Sequence, residues 1–188
     1  MNNDKEVTEK RIIKIRKIVR YSVAIGASLL LIFVCILVVN VYRLSSDRLF
    51  AENYSAYELS STGDENDSAA SKIEKAYREK NYAEVIKINK NSVLSLKDIF
   101  LTGMSYLETN DLSKAISSYQ VVIADLKDNK TTLLKDTAEY YMALAYLKNN
   151  DYDQAIELMN TIRDKSSHQY KSKFSRKYIN KIKRLKWR

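Results

Sequence analysis

The sequence contains no proline and only three glycines in 188 residues. Tight β-turns depend on these two residue types, so their scarcity argues against a turn-rich β architecture and favours helices. The single cysteine, Cys35, lies within a long apolar run, so the rest of the chain has no disulfide and depends on a packed core for its stability. The single histidine, His168, has no cysteine or second histidine beside it, which leaves a zinc site without its usual ligands.

Residues typical of enzyme active sites are also scarce or scattered. The glycines are single and far apart, so the chain has no glycine-rich phosphate loop. A Ser-His-carboxylate arrangement would need His168 as its base, and no pattern marks a nucleophile with an oxyanion loop. The sequence therefore predicts a protein that is not an enzyme, with no catalytic residue, no cofactor and no metal site.

Acidic residues are missing from residues 166–188, which hold nine basic side chains. Residues 1–20 hold seven basic and three acidic side chains, whereas residues 42–165 hold 16 basic and 20 acidic ones. The net charge of +9 is therefore a property of the two ends of the chain and not of its middle.

Residues 21–42 are uncharged and almost entirely apolar, with a tyrosine at each end. About 20 apolar helical residues cover roughly 30 Å, which is the thickness of the hydrocarbon core of a bilayer. A buried core helix is the alternative, but such a helix normally has a polar face, and only Ser22, Ser28 and Asn40 are polar here. The run predicts a transmembrane helix.

The flanking charges predict its orientation. Seven basic residues precede the run, and only Arg43 and Arg48 follow it within twenty residues. The positive-inside rule then places the N-terminus in the cytoplasm and residues after 42 across the membrane. A cleaved signal peptide would have a shorter apolar region and a small-x-small site, so we predict an uncleaved signal anchor. Small residues four positions apart, as at Ser22 and Gly26, can let two spans approach closely, so a homodimer is an alternative to a monomer.

Four regions follow from these patterns: a basic cytoplasmic tail (1–20), the transmembrane anchor (21–42), a juxtamembrane segment with a linker (43–68) and a helical repeat domain (69–188). Residues 43–59 contain enough leucine, phenylalanine and tyrosine for a short helix. Residues 60–68 are polar and acidic without one apolar side chain, which is typical of a flexible linker.

Amphipathic segments recur after residue 69. Residues 76–86, 106–116 and 146–156 each have apolar positions, a polar turn, an aromatic or leucine residue, and a small or β-branched residue three positions later. This layout predicts two antiparallel helices joined by a tight turn, with a small residue where they cross. The fold class is therefore all-α: one N-terminal transmembrane helix, an α-solenoid of about three helix-turn-helix repeats, and a C-terminal capping helix.

These segments resemble the tetratricopeptide repeat family, over residues 69–165. The second copy carries the family's pattern at Gly103, Tyr106, Asp111, Leu112, Ala115 and Tyr119, and the third at Ala143, Tyr146, Asp151, Tyr152 and Ala155. The first copy departs from the pattern, because Ile73 and Val85 replace small residues. We interpret it as a degenerate cap.

The resemblance implies that the first helix of each pair lines a groove that binds other proteins. By position, the groove residues are Tyr77, Phe100, Met104, Leu107, Tyr140, Leu144 and Leu147. This row is apolar and aromatic, which suits a short amphipathic or extended segment of a partner protein.

Residues 168–188 predict one more helix, which would cap the last repeat. Its apolar stripe is formed by Tyr170, Phe174, Tyr178, Ile182 and Leu185. The basic face comprises Lys173, Arg176, Lys177, Lys181, Lys183 and Arg184. This face is either simply solvated or meets an anionic surface such as lipid headgroups or an acidic partner.

This order of a basic tail, one membrane span and helical repeats is similar to that of single-span repeat proteins of bacterial envelopes. It predicts a scaffold or adaptor in the inner membrane whose periplasmic repeats bind other envelope proteins. The alternative is a regulatory or sensor component whose span and repeats hold a signalling or secretion partner. Nucleic-acid binding by the basic helix would require a cytoplasmic domain and is not expected.

Overall fold

The computed structural model describes residues 21, 30–36, 38, 44–59, 72–89, 94–126 and 132–187. The chain divides into two compact units, Met1–Leu44 and Ser45–Arg188. In the first unit, residues 30–36 are helical and Leu30, Leu31, Ile32 and Phe33 are more than half exposed. None of the helices among the described residues combines the length and apolar character that crossing a membrane requires. Most of the predicted span (21–42), and all of the predicted tail (1–20), lie outside the described residues.

The second unit consists of helices joined by turns, and no strand occurs among its described residues, which confirms the all-α prediction. The helices are α1 (Ser46–Asn53), α2 (Lys72–Arg78), α3 (Tyr82–Asn89), α4 (Leu96–Glu108), α5 (Leu112–Asp125), α6 (Thr132–Lys148), α7 (Tyr152–Asp164) and α8 (Arg176–Lys186). From α2 onward each helix packs on the next one in the chain, and α4 also packs on α2 and α6. This arrangement is a short solenoid of three helix pairs.

The same turn joins the two helices of every pair. Lys80, Asn110 and Asn150 adopt a left-handed conformation there, with φ of 56°, 62° and 64°. In each turn the next amide donates to the carbonyl five residues earlier, over 2.8–2.9 Å: Asn81 to Ala76, Asp111 to Tyr106 and Asp151 to Tyr146. These bonds satisfy carbonyls at the helix C-terminus. The first pair thus shares the turn of the others although its sequence departs from the pattern.

Small residues lie where paired helices cross. Ala115 and Ala155 are fully buried, in the positions that the sequence predicts. A Cβ atom added at Gly103 would lie 2.8 Å from Cε1 of Tyr119 and 3.0 Å from Cβ of Ser118. Glycine at this position therefore allows α4 to approach α5 closely.

The last helix is shorter than the predicted 168–188. Helix α8 begins at Arg176, where the Ser175 side chain accepts a 3.2 Å hydrogen bond from the amide of Tyr178 and caps the helix. The preceding residues form turns and one turn of 3-10 helix (Lys171–Lys173). The apolar stripe still packs inward, since Phe174 and Ile182 are fully buried and Tyr178 is 5 % exposed.

Helix α1 lies within the predicted juxtamembrane segment and packs on α6 and α8. Leu49 is fully buried and Phe50 is 8 % exposed. The side chain of Ser45 accepts a hydrogen bond from the amide of Arg48 and caps this helix. The segment that follows the predicted span therefore packs with the repeats, whereas the predicted linker (60–68) lies outside the described residues.

Candidate protein-binding site

The predicted groove residues lie on the first helices of the three pairs, which are α2, α4 and α6. All seven are buried: Tyr77, Phe100, Met104, Leu107, Tyr140, Leu144 and Leu147 are each at most 5 % exposed. Residues 45–59 of the same chain lie across this face. We call them the strap; the strap comprises α1 and an extended part, residues 54–59, without regular secondary structure.

Tyrosine hydroxyls of the repeats hold the main chain of the strap. Tyr141 donates a 2.8 Å hydrogen bond to the carbonyl of Ser55, and Tyr77 donates a 3.0 Å bond to the carbonyl of Tyr57. Tyr140 donates to the carbonyl of Asn53. Main-chain carbonyls are present in every peptide, so these three donors hold the end of α1 and the segment after it with little dependence on sequence.

Aromatic side chains of the strap fill the space between these hydrogen bonds. The Tyr57 ring meets Phe100 edge-on, with centroids 4.9 Å apart and planes at 82°. The Tyr54 ring stacks on Phe50 at 4.6 Å and meets Tyr141 edge-on at 6.2 Å. Such aromatic pairs each contribute about 0.5–1.5 kcal/mol beyond the burial of their area. The face is therefore suited to aromatic side chains of an extended ligand.

Helix α1 anchors the beginning of the strap. The hydroxyl of Tyr178 on α8 donates a 2.6 Å hydrogen bond to the carbonyl of Leu49. The ammonium of Lys181 forms a 2.8 Å ion pair with Glu52. The ammonium of Lys148 lies 4.9 Å from the centroid of the Phe50 ring.

Burial keeps the tyrosine donors protonated. It raises the pKa of Tyr140 to about 12, and it raises the pKa values of Tyr77, Tyr141 and Tyr178 above their ordinary value of 10. A phenolate in this low-polarity setting would lose its hydration without gaining a cation. The hydroxyls therefore remain hydrogen-bond donors throughout the physiological pH range.

The predicted groove residues do not all serve the same purpose. Tyr77, Phe100 and Tyr140 contact the strap. The sulfur of Met104 instead accepts a 3.1 Å hydrogen bond from the hydroxyl of Tyr119 on α5, so this residue belongs to the packing between paired helices. Sequence reasoning missed Tyr141, because successive helical residues point about 100° apart and only Tyr140 was assigned to the groove.

A cavity of about 280 Å³ lies where the strap ends. Its lining includes Tyr57 and Leu59 of the strap and Tyr77, Arg78 and Tyr82 of the first repeat. The part of the face formed by α2 and α3 thus has open space beside the strap.

The predicted basic face is only partly free of contacts with the rest of the unit. Lys181 is engaged by Glu52, as described above. The side chains of Lys173, Arg176, Lys177, Lys183 and Arg184 are exposed. The late start of α8 places Lys173 in the 3-10 turn and not on the helix that was predicted to carry it.

One buried polar cluster was not predicted. Nε2 of His168 lies 3.2 Å from Glu139 and 3.6 Å from Asp136, and the three residues could offer ligands to a metal ion. The carboxylate of Asp136, however, already accepts a 3.0 Å hydrogen bond from the amide of Gln169 and a 3.4 Å hydrogen bond from the ammonium of Lys165. Nδ1 of His168 accepts the amide of Tyr170 at 3.1 Å. The cluster as it stands connects α6 to the turns before α8.

Residues 99–126 and 137–167 match the tetratricopeptide repeat family. The two matches cover most of the α4–α5 and α6–α7 pairs and confirm the resemblance for the second and third copies. No curated protein and no solved structure matches the chain. Tetratricopeptide repeats are typically non-catalytic modules that bind other proteins, and the repeat face is the candidate site for that activity.

Proposed function

We propose that this chain is a membrane-anchored scaffold that binds another protein of the bacterial envelope through the repeat face. The anchor would be residues 21–42, with the N-terminus in the cytoplasm and the repeats on the periplasmic side. The uncharged apolar run, the seven basic residues before it, and the exposed apolar side chains at residues 30–33 support this part of the proposal.

One observation carries the binding proposal: the repeat face already holds a peptide, residues 54–59 of its own chain. Two tyrosine hydroxyls, those of Tyr77 and Tyr141, and the ring of Phe100 act on this peptide as they would on a segment from another protein. The expected partner segment is extended, presents free main-chain carbonyls, and has an aromatic side chain where Tyr57 now lies.

A partner would replace the extended part of the strap while α1 stays in place. Ser55, Ala56 and Glu58 are exposed, and residues 54–59 form no regular secondary structure, although the amide of Tyr54 still donates to the carbonyl of Phe50 at the end of α1. Helix α1, by contrast, has the fully buried Leu49 at its centre. Exchange of residues 54–59 therefore leaves the buried part of α1 in place, and a competing segment can gain the hydroxyl donors of Tyr77 and Tyr141 and the ring contact with Phe100.

Site-specific photo-crosslinking in cells tests this proposal. A photoreactive phenylalanine analogue replaces Tyr82 or Arg78, which both line the cavity and belong to the first repeat. We expect a covalent adduct with one partner protein from both positions. The control position is Ser117, which is exposed on α5. Adducts of equal yield from Ser117, or none from the other two, would exclude the repeat face as the binding site.

The position of α1 favours a second candidate, a regulatory component. Helix α1 begins four residues after the end of the predicted span and continues directly into residues 54–59. A movement of the span would therefore be transmitted through α1 to residues 54–59, which cover the repeat face. In this version the span controls access to the groove, and partner binding should change when the span alone is replaced by an unrelated one.

A further inference from the structure

We propose that one end of the repeat domain binds the anionic headgroups of the membrane that holds the anchor. This end consists of the last turn of α8, Trp187 and the turn between α6 and α7. The inference rests on the anchoring part of the proposed function, but it needs neither a protein partner nor the groove.

The chain length leaves the domain little freedom to move away from the membrane. Only two residues, Arg43 and Leu44, separate Tyr42, the last residue of the predicted span, from Ser45, which caps α1. The three Cα-to-Cα steps from Tyr42 to Ser45 span at most about 11 Å when fully extended. The sequence predicts a flexible linker at residues 60–68, but this stretch comes after α1, and α1 already packs on the repeats. The linker therefore cannot separate the domain from the bilayer.

The beginning of α1 lies at the same end of the domain as the end of α8. The hydroxyl of Ser46 donates a 2.6 Å hydrogen bond to Oδ1 of Asn150, in the turn between α6 and α7. The ammonium of Lys186, in the last turn of α8, lies 2.5 Å from Asp153 at the start of α7. These two contacts place the C-terminal turn of α8 beside the point where the chain leads to the span.

The side chains at this end suit a lipid interface. Trp187 is 85 % exposed, the highest value among the exposed large hydrophobic residues of the described part of the chain. Tryptophan favours the headgroup level of a bilayer, where its ring is in an apolar setting and its N–H remains hydrated. Lys183 and Arg184 are exposed beside it, and cations close to a bilayer are attracted to anionic lipid.

Three acidic side chains lie near this end, and two of them have a polar partner. The third, Asp47, is exposed in the first turn of α1. Asp153 pairs with Lys186, and Asp151 accepts a 2.6 Å hydrogen bond from the side chain of Asn149. The last 23 residues, 166–188, contain no acidic side chain at all. The basic side chains at this end outnumber the three carboxylates; they are Arg48, Lys148, Lys183, Arg184 and Lys186. The surface that the chain length brings nearest to them is the membrane.

Trp187 is also the only tryptophan in the chain, so its fluorescence reports on this end alone. The full chain is incorporated into nanodiscs of phosphatidylcholine, or of phosphatidylcholine with phosphatidylglycerol, with brominated lipids as quenchers. We expect a blue-shifted emission and strong quenching in the discs with phosphatidylglycerol, and a loss of both as salt is added. Quenching in the neutral discs should be weaker at least twofold.

Two triple variants distinguish lipid binding by this end of the domain from a general effect of basic side chains. The test variant is Lys183→Gln, Arg184→Gln and Trp187→Phe, with domain contact measured by crosslinking to a photoreactive lipid. The control is Lys173→Gln, Lys177→Gln and Val121→Ser, which removes two charges and one exposed apolar side chain elsewhere. We expect the lipid crosslink to fall several-fold in the test variant and to persist in the control.

Three results would overturn the inference. The first is water-exposed, unquenched Trp187 in anionic discs that contain the chain. The second is equal quenching in neutral and anionic discs, which would exclude recognition of the charge. The third is quenching that appears only after an acidic envelope protein is added, which would assign this end to a protein partner. Failure of the chain to enter the discs would instead contradict the anchor itself.

Discussion

The hydroxyl of Tyr141 donates a hydrogen bond of 2.8 Å to the main-chain carbonyl of Ser55, although the two residues are separated by the first two repeats. The ring of Tyr141 also lies 6.2 Å and 6.3 Å from the rings of Tyr54 and Tyr57. One side chain of the third repeat thus contacts three residues of the strap. It joins the segment after the predicted span to the face that is expected to bind partners.

Tyr141→Phe should loosen the strap without disturbing the repeats. The substitution keeps the ring and removes only the donor, so it should cost about 0.5–1.5 kcal/mol of unfolding free energy. Chemical denaturation measures this loss, and limited proteolysis should cut residues 54–59 several-fold faster. The matched control is Tyr152→Phe, which removes an exposed hydrogen bond to Asn150 and should leave both measurements unchanged. Equal proteolysis of the two variants would show that the hydroxyl does not hold the strap.

Gly103→Ala should destabilise the second repeat. The new methyl group would lie 2.8 Å from Cε1 of Tyr119, whose ring is fully buried and whose hydroxyl donates a hydrogen bond to the sulfur of Met104. Overpacking of this kind typically costs about 1–3 kcal/mol. Thermal or urea unfolding measures the loss, with Ser117→Ala on the exposed side of α5 as a control that should change stability little. An unchanged melting temperature would mean that α4 and α5 are farther apart than the structure shows.

The repeats could be predicted from the sequence because their signals are local. The turn around Asp111, the small residue at Ala115 and the aromatic at Tyr106 lie within ten residues, and they fix a helix pair without reference to the rest of the chain. The start of α8 could not be predicted in this way. The apolar stripe runs through Tyr170 and Phe174 as it would in a helix, but Ser175 caps the helix later and the buried His168 holds the residues before it in turns.

The docking of the strap on the repeats could not be predicted from the sequence either. Its apolar residues were sufficient to predict a short helix in 43–59, and α1 lies in that range. Its docking depends on Tyr141, Tyr178 and Lys181, which are close to it only after the solenoid has formed. The polar cluster of Asp136, Glu139 and His168 was missed for the same reason, since its members come from α6 and from the turns before α8.

Stability should depend on pH through His168. Burial lowers the pKa of this side chain below its ordinary value of 6.5, although Asp136 and Glu139 act in the opposite direction. The unfolded chain then binds a proton more readily than the folded one, so stability is complete above pH 6.5 and falls as pH decreases toward the lowered pKa. His168→Asn keeps an acceptor for the Tyr170 amide and cannot titrate. Urea unfolding at pH 7.5 and 5.5 should show a smaller difference for this variant; an equal difference would exclude His168 as the cause.

Topology should follow the distribution of basic residues around residues 21–42. A phosphatase reporter fused after Arg188 should be active, because it requires export, and a fluorescent protein that folds only in the cytoplasm should remain dark. In the control, basic residues of the tail are replaced by glutamine and new lysines are added at residues 43–48, which should weaken or reverse the orientation. An inactive phosphatase on the unaltered chain would place the repeats in the cytoplasm and restore nucleic acid as a partner for the basic helix.

Cleavage between residues 60 and 68 should leave the two parts of the chain bound to each other. A specific protease site introduced there separates the anchor and strap from the repeats covalently. The strap still has the buried Leu49 and Phe50 and its hydrogen bonds to Tyr77, Tyr141 and Tyr178, so we expect both fragments to elute together from a sizing column in detergent. Denaturant should separate them, and dilution should do so gradually, because cleavage turns an intramolecular contact into a bimolecular one.

The decisive comparison for this cleavage uses two carboxylates placed on opposite sides of α1. Leu49→Asp buries a charge with no partner and should release the strap as soon as the chain is cut. Ala51→Asp places the same group on an exposed position of the same helix and should keep the fragments together. Circular dichroism must show that the repeats remain folded in both. If the unaltered fragments separate at once at micromolar concentration, the strap is not held by the repeat face, and the peptide-binding role inferred from it fails as well.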